Sequence, residues 1–224
     1  MPESPAAGVP SPGGPLAGGP LADEPLEPRL LGTETPFAGK VWSIRRDVFE
    51  YNGAPVTREY VDHTGAVAVL ALDDAGRVLL IQQYRHPIRH RDWELPAGLL
   101  DIAGEDPLAA AQRELAEEAD LVADEWHLLS EFFTSVGGSD EALRVYLARG
   151  VRATEEAFAR SEEEADIVIR WASLDDVVEA VLERRLQNSI LAIGVLAASA
   201  SRARDWSTLA DAETPWTRHP KLAR

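Results

Sequence analysis

Apolar residues recur along the chain with two different periods. "VWSIRRDVFEY" (41–51) and "PVTREYVDH" (55–63) alternate as short half-buried strands do, on either side of the turn "NGA". "GAVAVLALD" (65–73) and "RVLLIQQYRH" (77–86) are nearly continuous apolar runs parted by "DAG", which predicts a buried hairpin. "DWELPAGLL" (92–100) predicts a strand or extended segment ending in a glycine turn. The period then changes. In "GEDPLAAAQRELAEEADL" (104–121), Leu108, Ala111, Leu115 and Ala119 recur at spacings of three and four, a helical stripe. Asp106 is a good N-cap for that helix, and Pro107 falls at its first position, where a missing N–H costs nothing.

Strand patterns return in "WHLLSEFFTS" (126–135), "ALRVYLARG" (142–150) and "IVIRWAS" (167–173). The loop "VGGSDE" separates the first two, and the acidic segment "RSEEEAD" (160–166) precedes the third. Two amphipathic helices follow: "SLDDVVEAVLERRL" (173–186), opened by Ser173 and Asp176 in a capping-box-like pair, and a second from about Asn188 to Arg204. Strands before, between and after two helical zones imply an α/β layered domain with a mixed sheet. No internal repeat is visible. Residues 1–35 are dense in Pro, Gly and Ala and bury too little apolar surface to offset their chain entropy, so a disordered tail is expected there. The domain is expected over residues 36–206, with a loose C-terminal tail over 207–224.

Composition narrows the chemistry. The chain has no cysteine, which excludes disulfides, thiolate metal sites and a cysteine nucleophile. It opens on no signal-peptide pattern, and its longest apolar run, "ILAIGVLAASA" (190–200), is too short to cross a bilayer. A cytoplasmic protein with no membrane partner is expected. The formal net charge of −16 disfavours nucleic acid, whose phosphates need clustered Lys and Arg. A phosphate substrate would therefore need divalent cations to mediate.

Glu114, Glu117 and Glu118 crowd one turn of the first helix beside Arg113, although like charges at this spacing repel by a few tenths of a kcal/mol per pair. Two accounts of the residues themselves stand open. The cluster is a solvated helical face, or it is a hard-metal site, since Mg²⁺ is commonly held by one or two carboxylates together with substrate phosphates and waters.

The flanking residues decide between them. Gly98, Glu105, Arg113, Glu114, Leu115, Glu117, Glu118 and Leu121 fall at spacings that resemble the Nudix box, the signature of hydrolases that cleave a nucleoside diphosphate linked to another group. Two positions depart from it. Six residues rather than five separate Gly98 from Glu105, and Asp120 replaces the glycine expected after the helix, a residue that tolerates left-handed backbone better than most. "QQYRHP", "WELPAGLLD", "SDEALRVYLA" and "EEEAD" resemble, in the same order, the blocks of the ADP-ribose pyrophosphatase subgroup of actinobacterial type, over roughly residues 40 to 200.

The resemblance implies an α+β Nudix fold, an α/β/α sandwich with a mixed sheet. It also implies Mg²⁺-dependent hydrolysis of ADP-ribose to AMP and ribose 5-phosphate, with Mn²⁺ as a possible substitute. The metal set it implies is the carbonyl of Ala97 with Glu114 and Glu118, joined by Glu117, with Arg113 orienting a glutamate. The general base would come from the acidic segment, Glu164 first and Glu163 second. Arg85 would contact phosphate. Trp42 would stack on adenine with Arg45 or Arg46 near phosphate, and Ser139 and Glu141 would contact the nucleotide or ribose. In similar proteins the N-terminal strands cross to a second subunit, so a homodimer is implied. His63, His86, His90, His127 and His219 show no metal-ligand spacing and are read as surface or structural residues. Alternatives within the family are another nucleotide sugar, a dinucleoside polyphosphate or an oxidised nucleotide. A nucleotide sensor that binds without cleaving is the alternative of another class, although the intact Arg113, Glu114, Glu117 and Glu118 argue against it.

Overall fold

A computed structural model describes residues 21–155, 158 and 166–222. Three long strands come first: β1 (Leu30–Ala38), β2 (Ser43–Tyr51) and β3 (Ala54–Asp62). They form an antiparallel sheet of their own. Asn52 and Gly53 both have positive φ, the backbone that a two-residue hairpin turn requires, and β2 pairs with β3 in continuous register from Ser43↔Asp62 to Tyr51↔Ala54.

The body of the molecule is a sandwich. β4 (Ala66–Ala71), β7 (Ala97–Leu99), β9 (Glu125–Phe133), β10 (Ala142–Arg149) and β13 (Ala210–Asp211) form a five-stranded mixed sheet in the order β13-β9-β10-β4-β7. Only β10 and β4 run parallel. β4 is buried along its whole length, as a central strand covered on both faces must be. Its alternate residues feed two cores. Ala66, Ala68 and Leu70 pack with Leu143, Val145 and Leu147 of β10 under Leu174, Val177, Leu191, Val195 and Ala198. Val67, Val69 and Ala71 pack with Tyr146 and Ala148 under Ala110, Ala111, Leu115 and Ala119. The first core is roofed by α2 (Leu174–Leu182) and α3 (Ser189–Arg202), the second by α1 (Pro107–Ala119). Each fully buried Leu or Val contributes roughly 1.5–3 kcal/mol. This is the α/β/α sandwich with a mixed sheet that the sequence implied.

β5 (Arg77–Arg85), β6 (His90–Glu94) and β12 (Val168–Ser173) form a further antiparallel sheet in the order β12-β5-β6, and β8 (Leu121–Val122) pairs with β11 (Arg152–Ala153). The expected hairpin of residues 65–73 and 77–86 is therefore corrected. Its turn exists, with Asp73 Oδ1 accepting the N–H groups of Ala75 and Arg77, but β4 and β5 diverge into different sheets after the single bridge Leu72↔Val78. α2 stops at Leu182, four residues short of the expected end, and Arg184 then turns with φ of 64°.

Both expected tails contain structure. β1 begins at Leu30, inside the segment 1–35, because antiparallel pairing from Leu30↔Phe49 to Ala38↔Ser43 satisfies its backbone. Residues 207–222 are tied down by isolated anchors. β13 extends the mixed sheet, Trp216 is buried with its ring 4.6 Å from the Arg144 guanidinium, and Lys221 Nζ donates to the His63 carbonyl oxygen at 2.6 Å. Among the described residues no helix is long and apolar enough to cross a membrane.

Candidate active site

The site is built where α1 docks on β7. Asp106 caps the helix by accepting the Leu108 N–H at 2.8 Å, with Pro107 in the first turn. Ala110, Ala111, Leu115 and Ala119 face the core, and this fixes the roll of the helix. Glu114 and Glu118 lie on the flank of that buried stripe and reach β7. Glu118 is 4% exposed, and its Oε2 accepts the Ala97 N–H at 2.9 Å. Glu114 lies against Gly98 so closely that a Cβ there would come within 1.9 Å of Glu114 Oε1.

Arg113 joins the remaining acids. Its Nε and Nη2 donate to the two carboxylate oxygens of Glu105 at 2.9 and 3.0 Å, and Nη1 donates to Glu114 Oε1 at 2.6 Å and Glu117 Oε2 at 3.0 Å. These contacts, led by Glu105, push the Arg113 pKa up, and Arg113 in turn holds the Glu105 carboxyl below the usual carboxylate range. One guanidinium thus neutralises part of a cluster that would otherwise repel itself.

β5 and β6 hold a further ion pair. Arg85 forms a bidentate pair with Glu94, Nε to Oε1 at 2.7 Å and Nη2 to Oε2 at 2.6 Å, and the Glu94 side chain is 4% exposed against 44% for Arg85. Only Leu95 and Pro96 separate Glu94 from Ala97. Glu94 was not singled out in the sequence. Its signal was available: a carboxylate between the apolar Trp93 and Leu95 needs a partner, because an unpaired buried charge is costly.

The other expected contacts are held elsewhere in this chain. Trp42 stacks on His63 at 4.1 Å. Arg45 and Arg46, neighbours on a strand, point to opposite faces of their sheet. Arg45 Nε donates to Thr33 Oγ1, while Arg46 pairs with Glu34 and Glu59. Ser139 Oγ accepts the Glu141 N–H at 3.1 Å, and Glu141 accepts from Thr134 and lies 3.3 Å from His63 Nε2. The structure thus gathers Ala97, Glu114, Glu117, Glu118 and Arg113 around one corner, and it pairs Arg85 with Glu94, three residues before Ala97. It places Trp42 and Glu141 in a second network centred on His63, whose pKa burial pushes down. Glu163 and Glu164 lie outside the described residues.

Among the described residues no three acidic or histidine side chains already converge on one point as a metal cluster. The donor set nonetheless suits a hard divalent cation. It consists of carboxylate oxygens beside a strand backbone, two of the acids being held in place by a guanidinium.

The sequence comparisons give the class of the protein. The NUDIX domain model matches residues 62–191, and the chain belongs to the Nudix hydrolase family. It is 45% identical over 171 residues to an ADP-ribose pyrophosphatase of Mycobacterium tuberculosis, covering 76% of this chain and 82% of that protein. It is also 36% identical over 170 residues to a methanol dehydrogenase activator of Bacillus methanolicus, covering 75% and 91% respectively. A solved structure, an ADP compounds hydrolase, superposes with a TM-score of 0.67 at 17% identity over 82% of this chain and 98% of its own, a likeness of fold.

Proposed function

We propose that this Nudix hydrolase cleaves the diphosphate of ADP-ribose to AMP and ribose 5-phosphate with Mg²⁺, Mn²⁺ being a possible substitute, as a homodimer in the cytoplasm. The observation that carries the reading is the delivery of Glu114 and Glu118 from one helix onto the backbone of Ala97 and Gly98. The 45% identical pyrophosphatase supports the choice of substrate. Glu114, Glu117, Glu118 and the Ala97 carbonyl would hold the cation, which when bound supplies electrophilic polarisation of the diphosphate and acidifies water. Arg85, fixed in plane by Glu94, meets a phosphate oxygen as a forked donor. Arg113 holds Glu105, Glu114 and Glu117 in place by ion pairs. A carboxylate of the acidic segment, Glu164 first and Glu163 second, takes the proton of the water that attacks phosphorus. Trp42, Arg45 and Arg46 would serve the site of a second copy, with Ser139 and Glu141 positioning the loop on the nucleotide side.

Hydrolysis of ADP-ribose by wild type and Glu118→Gln, each with Mg²⁺ and with chelator, tests the reading. AMP release by wild type only with Mg²⁺, and a fall of at least about a hundredfold in the variant, is expected. Metal-independent binding of ADP-ribose without turnover would instead identify a sensor.

A further inference from the structure

Trp42 and Glu141, both expected on the nucleotide side, meet at His63. This histidine is 6% exposed and lies between β3 and β4. The last torsion of an imidazole has broad minima, so its neighbours set the ring plane. Here both ring nitrogens are engaged. Nδ1 accepts the Gly65 N–H at 3.0 Å, which leaves the proton on Nε2, 3.3 Å from Glu141 Oε1. Burial pushes the His63 pKa down, which favours this neutral tautomer. The main chain is held as firmly: the His63 N–H donates to Asp140 Oδ1 at 2.7 Å, and Lys221 Nζ to the His63 carbonyl oxygen at 2.6 Å. The imidazole face carries the Trp42 indole, with ring centroids 4.1 Å apart and an interplanar angle of 18°. Trp42 sits in the turn between β1 and β2, where its carbonyl oxygen accepts the Gly39 N–H at 2.9 Å. The turn fixes its backbone, and the histidine fixes its ring. Packing alone would bury both faces of an indole, yet Trp42 remains 38% exposed. The loop that His63 grips lines an open cleft of about 510 Å³ together with Arg58, Tyr60 and Phe133, the size of a small-molecule site.

We propose that His63 is a positioning residue for nucleotide binding: clamped at both ring nitrogens, it holds the Trp42 indole as a fixed stacking platform for a nucleobase and ties that platform to the loop carrying Ser139 and Glu141. A platform set in advance spares the bound base the cost of ordering the indole. This rests on the reading of Trp42 as the adenine contact, in whichever copy's site the ring serves.

AMP binding to the full-length protein in Mg²⁺, followed by titration calorimetry, tests it without turnover. Trp42→Ala should weaken AMP about tenfold, the worth of one base–aromatic stack. His63→Gln keeps an amide for Glu141 but removes the flat face, and should weaken AMP at least about fivefold. His63→Phe keeps the face and should bind AMP at least about threefold more tightly than His63→Gln. Because the histidine acts through the indole, adding His63→Gln to Trp42→Ala should change the affinity by less than about twofold. In ADP-ribose hydrolysis the His63→Gln loss should fall on KM, with kcat changed less than about threefold, since Glu114 and Glu118 are untouched. Wild-type affinity in His63→Gln, a His63→Phe no better than His63→Gln, or a double variant whose losses add, overturns the proposal. In the wild type itself AMP should shift the Trp42 indole and His63 imidazole NMR signals together, and a His63 signal that AMP leaves unmoved overturns it without any variant. Trp42→Ala binding AMP like wild type overturns both the stacking reading and the proposal. AMP binding without ADP-ribose turnover overturns the proposed reaction alone, and the affinity tests of His63 stand unchanged.

Discussion

Gly98 has no side chain because Glu114 occupies the space one would need. A Cβ would stand 1.9 Å from Oε1, 2.0 Å from Cδ and 2.6 Å from Cγ, so the clash runs along the carboxylate arm and rotation of its tip does not relieve it. No positive φ is involved; the requirement is close approach of a strand backbone to a functional side chain. Gly98→Ala must therefore push Glu114 off β7. Overpacking of this kind costs about 1–3 kcal/mol, read as a lower denaturation midpoint, and displacement of the proposed metal ligand should lower kcat about a hundredfold or more. A variant with wild-type kcat would show that Glu114 works from a position other than the one it holds here.

At the scale of the element, α1 trades stability for charge placement, and a mid-helix arginine carries the compensation. Arg113 reaches back eight residues to Glu105, stapling the loop ahead of the helix to its middle. Because Arg113 depresses the Glu105 pKa, the pair stabilises the fold above the carboxyl's unfolded pKa of about 4.3 and ceases to do so as pH falls through the lower folded value. In chelator at pH 7, Glu105→Gln should be less stable than wild type by about 1–3 kcal/mol, and the gap should close as pH falls through the depressed folded value. Denaturant unfolding across that range checks it, and a pH-independent gap would assign the loss to packing. This helix was legible in the sequence from end to end, because its N-cap Asp106, Pro107, apolar stripe and left-handed Asp120 are local signals. The sheets were less so. β4 and β5 read as a hairpin because their turn is local, whereas their separation into two sheets depends on β10 and β12, more than sixty residues away. β1 was lost because "LLGTET" lacks alternation and is stabilised only by β2, and the C-terminal segment because single anchors, Trp216, His219 and Lys221, leave no period. The site divides the same way. The box residues were readable from spacing, whereas Glu94 and the engagement of Trp42 and Glu141 by His63 arise from contacts across the fold.

For the whole molecule the unresolved balance is the sheet β1-β2-β3. Leu30, Leu31, Phe37, Val41 and Tyr51 are all more than 45% exposed, and none of the three strands contributes a residue to either core. An antiparallel sheet that feeds neither core is marginal, and exposed apolar side chains on and beside one small sheet mark an association surface. A second copy is the occupant that the implied homodimer supplies. Its formation has to overcome repulsion between two chains of net charge −16, which salt screens with a Debye length of about 8 Å at 0.15 M. The dimer should therefore tighten from 10 mM to 200 mM salt, the reverse of an interface held by ion pairs. Leu31→Asp combined with Phe37→Asp adds charge to the apolar surface of β1 and should yield a monomer by sedimentation velocity, with the cores intact. If Trp42, Arg45 and Arg46 complete the partner's site, ADP-ribose turnover at low substrate should fall at least about tenfold in that monomer, with its metal affinity unchanged. A wild-type chain that sediments as a monomer at high salt, or a monomeric variant with full turnover, would return those three residues to the chain that carries them.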